Sequence, residues 1–242
     1  MLRKLICSLA FLSFSLPLWS QEPIKLLTYH AHPPFVNGPQ EGLTYSLAQF
    51  LTQRSEGRFS FEVEELPRKR LDLAIQKEGS WVALWSNPIW FGDAQQEKYL
   101  WVPVMEDNSV ILSPGDAPVN WESPGSLRGM TFVGMRGHRY VGIDDLVEAG
   151  EITRIDNNQE QDIVRMLLNH RADAGLLPGS AMRYFAKQME LGDRIYVAPK
   201  PHSTFQRMFF TPRSRADLAE FLKTLRFAQN PEWQALLASY GF

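Results

Sequence analysis

The stretch FSFEVEELPRKRLDLAIQKEGSWVALW, residues 59–85, carries the pattern that decides the fold. Its first seven residues alternate apolar and polar side chains, as a half-buried strand does. Pro67 suits the first turn of a helix that buries Leu71, and Gly79 suits the end of that helix. The apolar run at 81–85 predicts a buried strand. Strand, helix and strand in this order are typical of a parallel α/β unit.

The residues on either side repeat this alternation. A strand is predicted at 24–29, a helix at 43–54 and further strands at 99–105 and 109–112. A stretch rich in Pro, Gly and Ser then interrupts the pattern, and a second series of strands and helices begins at Thr131. The chain therefore reads as an α/β protein with largely parallel strands in two successive units.

Two crossings marked by proline, near Pro103 and near 199–201, suggest that the middle of the chain is inserted into a domain made of both ends. The predicted division puts 21–104 and 202–242 in lobe 1, and 105–201 in lobe 2. Two lobes joined by two strands would form a cleft that closes around a ligand.

The composition of the chain excludes several classes of function. With 25 Lys and Arg against 27 Asp and Glu, the chain lacks the basic excess of a nucleic-acid-binding protein, so we expect no nucleic-acid partner. The single cysteine, Cys7, forms no internal disulfide and no cysteine-rich zinc site. Metal chemistry would have to use histidines and carboxylates.

Residues 1–20 have the pattern of a cleaved signal peptide. Arg3 and Lys4 precede an apolar run that is broken by serines and Pro17, and Ser20 is a small residue at a suitable cleavage point. The alternative is a membrane anchor, but the run is shorter than the ~20 apolar residues that span a bilayer. We therefore expect an exported, periplasmic protein.

Several strings of this sequence carry a family resemblance in their order and spacing. They are Tyr29 with Pro34 and Phe35, LPRKRLDLAIQKEG at 66–79, SLRGMTFVGMRGHRY at 126–140, MLLNHRADAGLL at 166–177, and PEWQALLASYG at 231–241. The chain resembles the bacterial extracellular solute-binding protein family 3, periplasmic binding proteins typified by amino-acid receptors. The resemblance implies a type II periplasmic-binding-protein fold, with two α/β lobes joined by two hinge strands.

The same resemblance implies binding without catalysis and without a cofactor. It also implies that the protein delivers a small-molecule solute to a membrane permease or a membrane sensor. We expect it to act as a monomer.

Two departures from the family matter for the ligand. Amino-acid receptors of this family place an arginine before the strand near Trp101, where this chain has no arginine in 92–97. They also place an aspartate where this chain has Pro178. Because a desolvated ammonium or carboxylate needs an opposite charge or several hydrogen bonds, an α-amino acid held in the usual way is disfavoured.

The candidate ligand-binding residues of lobe 1 follow the first and third strands. Tyr29 and Phe35 follow the first strand, while Trp85, Asn87 and Trp90 end or follow the third. Ligands of open α/β sheets bind at the carboxyl ends of strands, and aromatic faces suit a flat or apolar solute. The alternative is that these aromatic residues pack in the core.

The candidate residues of lobe 2 are Arg136, His138, Arg139 and Tyr140, in a loop between a strand and a helix. Backbone N–H groups at a helix start and two arginines suit an anionic or oxygen-rich group. In the alternative, the loop is solvated and its arginines pair with the acidic residues of the next helix, Asp144, Asp145 or Glu148.

Catalytic patterns are weak in this sequence. His30 and His32 could face one ligand, but no third metal ligand is placed beside them by a motif. Glu62 and Glu64 share one face of a strand, and a solvent-exposed strand edge explains them without a catalytic role.

The sequence therefore predicts a periplasmic binding protein for a small polar or aromatic solute. An exported enzyme and a sensor-side partner whose cleft no longer binds a ligand are the alternatives.

Overall fold

The computed structural model describes residues 22–242, so the predicted signal peptide lies outside the described residues. The strands are β1 Ile24–Thr28, β2 Phe61–Glu65, β3 Trp81–Ser86, β4 Tyr99–Pro114, β5 Thr131–Met135, β6 Thr153–Asn157, β7 Ala174–Pro178, β8 Ile195–Val197 and β9 Ser203–Pro212. The helices are α1 Leu43–Arg54, α2 Arg68–Ala74, α3 Ile143–Glu148, α4 Glu160–Leu168, α5 Gly179–Gln188, α6 Ala216–Thr224 and α7 Pro231–Ser239.

The strands form one sheet in the order β2-β1-β3-β9-β4-β7-β5-β6, and β8 also pairs with β4. Strand β1 is parallel to β2 and β3, and β5 is parallel to β6 and β7, as the sequence pattern predicts. The central strands β4 and β9 are antiparallel to each other. The predicted strands at 99–105 and 109–112 are a single strand, because β4 continues from one half of the molecule into the other.

Four clusters of buried apolar side chains divide between these two halves. Two of them draw on residues 24–105 and 208–242, and the other two draw on residues 110–198. The protein is thus two-lobed, and β4 and β9 are the strands that run through both lobes. Along β4 and β9 the register shifts between Pro103 and Met105, which marks a bulge at the crossing.

An irregularity in β3 sets the direction of a large side chain. Regular alternation would place the Trp85 ring on the same face as Ala83. Instead the register with β9 shifts between Ala83 and Ser86, and Trp85 adopts a left-handed backbone with φ of 56°. Its ring therefore joins Val82 and Leu84 in the lobe 1 core.

The Trp85 ring is enclosed by lobe 1. Its Nε1 donates to Thr44 Oγ1 of α1 at 3.0 Å, and it stacks on Trp233 of α7 with ring centroids 6.2 Å apart. The N-terminus of helix α7 is capped by Asn230, whose side chain accepts hydrogen bonds from two backbone N–H groups of the first turn.

None of the helices in residues 22–242 is long and apolar enough to cross a bilayer.

We predict that Thr44→Val lowers the free energy of unfolding by about 1–3 kcal/mol, because it leaves the buried Trp85 N–H without an acceptor. Urea unfolding followed by tryptophan fluorescence measures this. In a Trp85→Phe background the same change should cost less, since the indole donor is absent. Thr153→Val, at an exposed position of β6, is the matched control and should shift stability by no more than about 0.5 kcal/mol. Equal effects of Thr44→Val in both backgrounds would contradict the assignment.

Candidate functional site

A buried ion pair joins β4 and β9 where the two lobes meet. Arg207 Nε of β9 donates to Asp107 Oδ2 of β4 at 2.8 Å, and both side chains are buried. Asp107 also accepts from the backbone N and the hydroxyl of Ser180, at 3.2 and 2.8 Å. Because Ser180 lies in the first turn of α5 and Arg207 Nη1 donates to Trp85 O of β3 at 3.1 Å, the pair connects both lobes to the hinge strands.

Aromatic rings surround the Arg207 guanidinium. Its Cζ lies 4.7 Å from the centroid of the Phe35 ring, 5.2 Å from that of Phe205 and 5.9 Å from that of Trp90. Rings at these distances attract a cation through their quadrupoles, and more strongly when water is excluded. Phe205 and Trp90, with centroids 5.2 Å apart, remain half-buried and form an apolar wall beside the ion pair.

A chain of polar side chains crosses from one lobe to the other beside this pair. His30 Nδ1 lies 3.3 Å from His32 Nε2, both after β1 in lobe 1. His32 Nδ1 lies 3.0 Å from Pro33 O and 3.1 Å from Glu160 Oε2, in the first turn of α4 in lobe 2. His32 and Glu160 therefore form a contact between the lobes. We call the region between the lobes, lined by these residues and by the Arg207–Asp107 pair, the seam.

The two histidines have different charge preferences. Burial, together with the positive charges of Arg207, His32 and His138, holds the pKa of His30 well below its usual range. Burial also lowers the pKa of His32, but the Glu160 carboxylate more than offsets this, and the net pKa of His32 is raised. The two shifts therefore favour a neutral His30 beside a charged His32 that lies at ion-pair distance from Glu160.

Among the predicted residues of lobe 1, Tyr29 and Trp90 lie at the seam and are half-buried. The Tyr29 ring lies 4.1 Å from that of His30 and 5.1 Å from the guanidinium of Arg68. Arg68 also donates to Trp90 O at 2.7 Å and so positions the turn that carries that ring.

The other predicted residues of lobe 1 lie behind this surface. Phe35 is fully buried, and its ring lies 5.3 Å from that of His30, so it packs against the histidines from the core side. The Trp85 ring is placed in the core, because the β3 bulge turns it towards α1 and α7, and only its carbonyl reaches the seam. Asn87 donates to Gln206 O and accepts from Ile89 N, at 3.0 Å each, and so holds the turn after β3 against β9.

The predicted loop of lobe 2 leaves three side chains exposed, those of Arg136, His138 and Arg139. Arg154 braces the loop by donating to the carbonyl oxygens of residues 135 and 138, at 3.1 and 3.0 Å. Asp144 pairs with Arg154 at 2.6 Å. Within residues 22–242, neither Arg136 nor Arg139 has an ion-pair partner.

Tyr140, the fourth predicted residue of this loop, packs in the lobe 2 core instead of facing a ligand. Its hydroxyl accepts from Met135 N at 2.8 Å, and its ring lies 5.2 Å from that of Phe132. Gly134 makes room for it, since a Cβ at that position would lie 2.6 Å from the Tyr140 ring. Burial raises the pKa of Tyr140 to about 12.

Sequence reasoning missed Arg207, Asp107, Ser180 and Glu160 as residues of the seam. The sequence does contain an indication of a buried charge at Arg207, which is a single charged residue directly before the apolar run 208–210. Asp107 and Glu160 had none, because each lies among other polar residues.

Residues 22–242 contain no group of three or more His, Cys, Asp or Glu side chains placed to hold a metal ion.

Comparison with known proteins gives a fold and no sequence family. No family model matches the chain, and no curated protein matches its sequence. The ligand-binding core of GluR0 in complex with L-glutamate has a TM-score of 0.68 at 13% identity, over 92% of this chain and 100% of that one. An ancestral arginine-binding protein bound to arginine has a TM-score of 0.67 at 14% identity, over 92% and 99%.

An arginine 3rd transport system periplasmic binding protein from Legionella pneumophila has a TM-score of 0.63 at 18% identity, over 91% of this chain and 100% of that one. The chain therefore has the two-lobed periplasmic-binding-protein fold, and the predicted fold class is confirmed. The resemblance to solute-binding protein family 3 is confirmed at the level of the fold. All three structures are named for binding a ligand or as binding proteins.

We predict that Asp107→Asn lowers the free energy of unfolding by about 3–5 kcal/mol, because it leaves the Arg207 charge buried without its partner. The double variant Asp107→Leu with Arg207→Met should be closer to the wild type, since it removes both buried charges. Chemical denaturation measures both. Glu220→Gln, which breaks the exposed pair with Lys223, is the control and should change little. A double variant less stable than Asp107→Asn would contradict this account.

The ion pair of His32 and Glu160 predicts a pH-dependent stability. Since the pKa of folded His32 is raised, the stabilisation is complete below its unfolded value of about 6.5 and is lost as the pH rises through the folded value. Glu160→Gln should therefore cost about 1–3 kcal/mol at pH 6 and little at pH 9. Asp162→Asn, in the same helix and paired with Arg165, should show no such pH dependence.

Proposed function

We propose that this chain is an exported solute-binding protein whose two lobes close on a small molecule at the seam. One observation carries the proposal. In residues 22–242, four buried side-chain polar atoms lack a hydrogen-bond partner, namely His30 Nε2, Asn108 Oδ1, Glu160 Oε2 and Trp233 Nε1. The first three border the seam.

These unpartnered atoms come from both lobes and from the hinge. His30 lies in lobe 1, Glu160 in lobe 2, and Asn108 follows Asp107 on β4, with its Oδ1 against Gly179 of α5. The Glu160 oxygen is at ion-pair distance from His32 but outside hydrogen-bonding geometry. Each buried group without a partner costs about 1–3 kcal/mol, and a polar solute would supply the partners.

Two lobes connected by hinge strands can close on such a solute. A ligand that contacts both lobes binds the closed form better than the open form and raises its population. The closed form is then the shape that a membrane permease or a membrane sensor recognises. The structural neighbours named for arginine, for L-glutamate and for a transport system support this kind of role. Half-buried Tyr29 and Trp90 favour a polar or aromatic solute.

A second candidate has one observation in its favour. The side chains of His32 and Glu160 already bridge the lobes as a ligand would. A sensor partner that closes without any small molecule would use such a bridge, and the binding screen separates the two candidates.

We expect a solute at 100 times its Kd to add about 2.7 kcal/mol to the stability of the folded protein. A thermal-shift screen of amino acids, organic acids, polyamines, sugars and aromatic metabolites checks this. Small-angle scattering on each hit should then report a more compact protein. If no compound raises the melting temperature, the ligand-free candidate is supported and the solute-binding proposal is wrong.

Export has its own test. We expect the full chain, produced in a Gram-negative bacterium, to appear in the periplasmic fraction with a mass that corresponds to cleavage near residue 20. A signal segment made inactive by Leu12→Arg should keep the chain in the cytoplasm at full length. Recovery of the unprocessed chain from the inner membrane would show an anchor instead.

A further inference from the structure

We propose that a groove beside the hinge binds an aliphatic acid, a molecule with an apolar chain and one anionic group, and that Arg226 pairs with that group. The groove lies between strand β4, helix α5, and helices α6 and α7 with the loop that joins them, and we call it the hinge groove. Its volume of about 750 Å³ is in the range of small-molecule sites in proteins. None of the residues that define the seam lines it, so this site is separate from the proposed solute site.

The floor of the hinge groove is apolar. Strand β4 contributes residues 102–106, and α6, α7 and their connecting loop contribute further side chains. The buried apolar side chains along the floor are Val102, Val104, Met105, Leu222, Phe227 and Leu237. Pro103 and Ala228 are exposed and Phe242 is half-buried, so part of the apolar surface is open to a ligand. Covering such a surface with an apolar chain removes it from water and favours binding.

The charges along the hinge groove are mostly positive. Three cationic side chains line it, those of Arg183, Lys223 and Arg226. Among the described residues that line it, Glu106 is the only acidic one. Lys223 already pairs with Glu220 at 2.8 Å, and Arg183 Nη2 lies 4.0 Å from Asp107. This excess of positive charge attracts an anion and repels a cation.

Arg226 is the cation of the groove that is available to a ligand. It is exposed, and within residues 22–242 its side chain has no ion-pair partner and no hydrogen bond. It follows α6 with a left-handed backbone, at a φ of 45°. Glycine adopts this conformation without strain and is the usual residue just after a helix. An arginine therefore costs stability here, and an anion bound by its guanidinium accounts for that cost.

The hinge groove is lined from both lobes. Arg183 belongs to α5 of lobe 2, whereas α6 and α7 belong to lobe 1. The Arg183 Cζ lies 5.4 Å from the centroid of the Phe242 ring, so the two lobes meet at this end of the groove. The floor includes the bulge of β4 between Pro103 and Met105. A molecule bound along this floor would therefore contact the strand that connects the lobes.

The experiment measures the binding of aliphatic compounds to the wild-type protein by isothermal titration calorimetry. Octanoate, octan-1-ol and octylamine share one chain length and differ in the head group, while hexanoate and decanoate vary the chain. We expect octanoate to bind at least about 10-fold more tightly than octylamine. From hexanoate to decanoate, each added CH₂ group should raise the affinity about 2–4-fold, because more apolar surface is buried.

Two substitutions of Arg226 test the contact with the anionic group. Arg226→Gln removes the charge and should weaken octanoate binding about 10-fold, while the affinity for octan-1-ol stays unchanged. Arg226→Gly should weaken octanoate binding as well, yet melt at the same temperature as the wild type or higher, since glycine suits the left-handed backbone. Arg171→Gln is the matched control and should bind octanoate as the wild type does. Arg171 is also exposed, follows α4 and has no ion-pair partner in the described part of the chain.

Three results would overturn the proposal. The first is that octanoate does not bind, or that octylamine binds more tightly. The second is that both Arg226 variants bind octanoate as tightly as the wild type, which would place the acid elsewhere. The third is that Arg171→Gln weakens binding as much as Arg226→Gln, which would show an effect of net charge.

The same variants separate this proposal from the proposed function. A solute that binds at the seam should bind Arg226→Gly as tightly as it binds the wild type. A compound of the thermal-shift screen that loses affinity for Arg226→Gly belongs to the hinge groove instead. Either proposal can therefore fail while the other stands.

Discussion

The Arg207–Asp107 ion pair is the interaction on which the arrangement of the two lobes depends. It lies on the two strands that run through both lobes, and it is buried, so its charges must be compensated by close contacts. Those contacts come from β3 through Trp85 O and from α5 through Ser180. An ion pair that contributes little net stability can still specify how its partners are arranged, because any other arrangement leaves a charge unpaired in the interior.

The contact between His32 and Glu160 is of a different kind. It joins the lobes directly, away from the hinge strands. Burial lowers the pKa of His32, and Glu160 more than offsets this, so the contact is stronger when His32 is protonated. His30 acts in the opposite direction, since burial keeps it neutral and protonating it in the closed form is costly. The two histidines therefore have opposite effects on the pH dependence of stability.

Core packing and the seam are connected through Trp85. The bulge in β3 turns the indole ring into the lobe 1 core, and the same turn directs the carbonyl towards Arg207. The residue thus supports the seam with its backbone and not with its ring. Phe35 has a related role, because it is buried beneath His30 and His32 and limits where the two imidazoles can lie. Both residues are near the proposed site, as the strand ends predicted, but neither presents a side chain to solvent.

The sequence by itself determined the alternation of strands and helices, because that depends on periodicity, and its proline-marked crossings predicted the two-lobed fold. It also predicted, from Pro178, that a charged contact implied by the resemblance is missing. Only the tertiary structure decided that Asp107 meets Arg207, 100 residues later in the chain, and that His32 meets Glu160. Local pattern describes which face of a strand or helix is buried, whereas a charge finds its partner through the packing of elements distant in sequence. The direction of the Trp85 ring was likewise undecided, because a one-residue bulge reverses alternation without leaving a local signal.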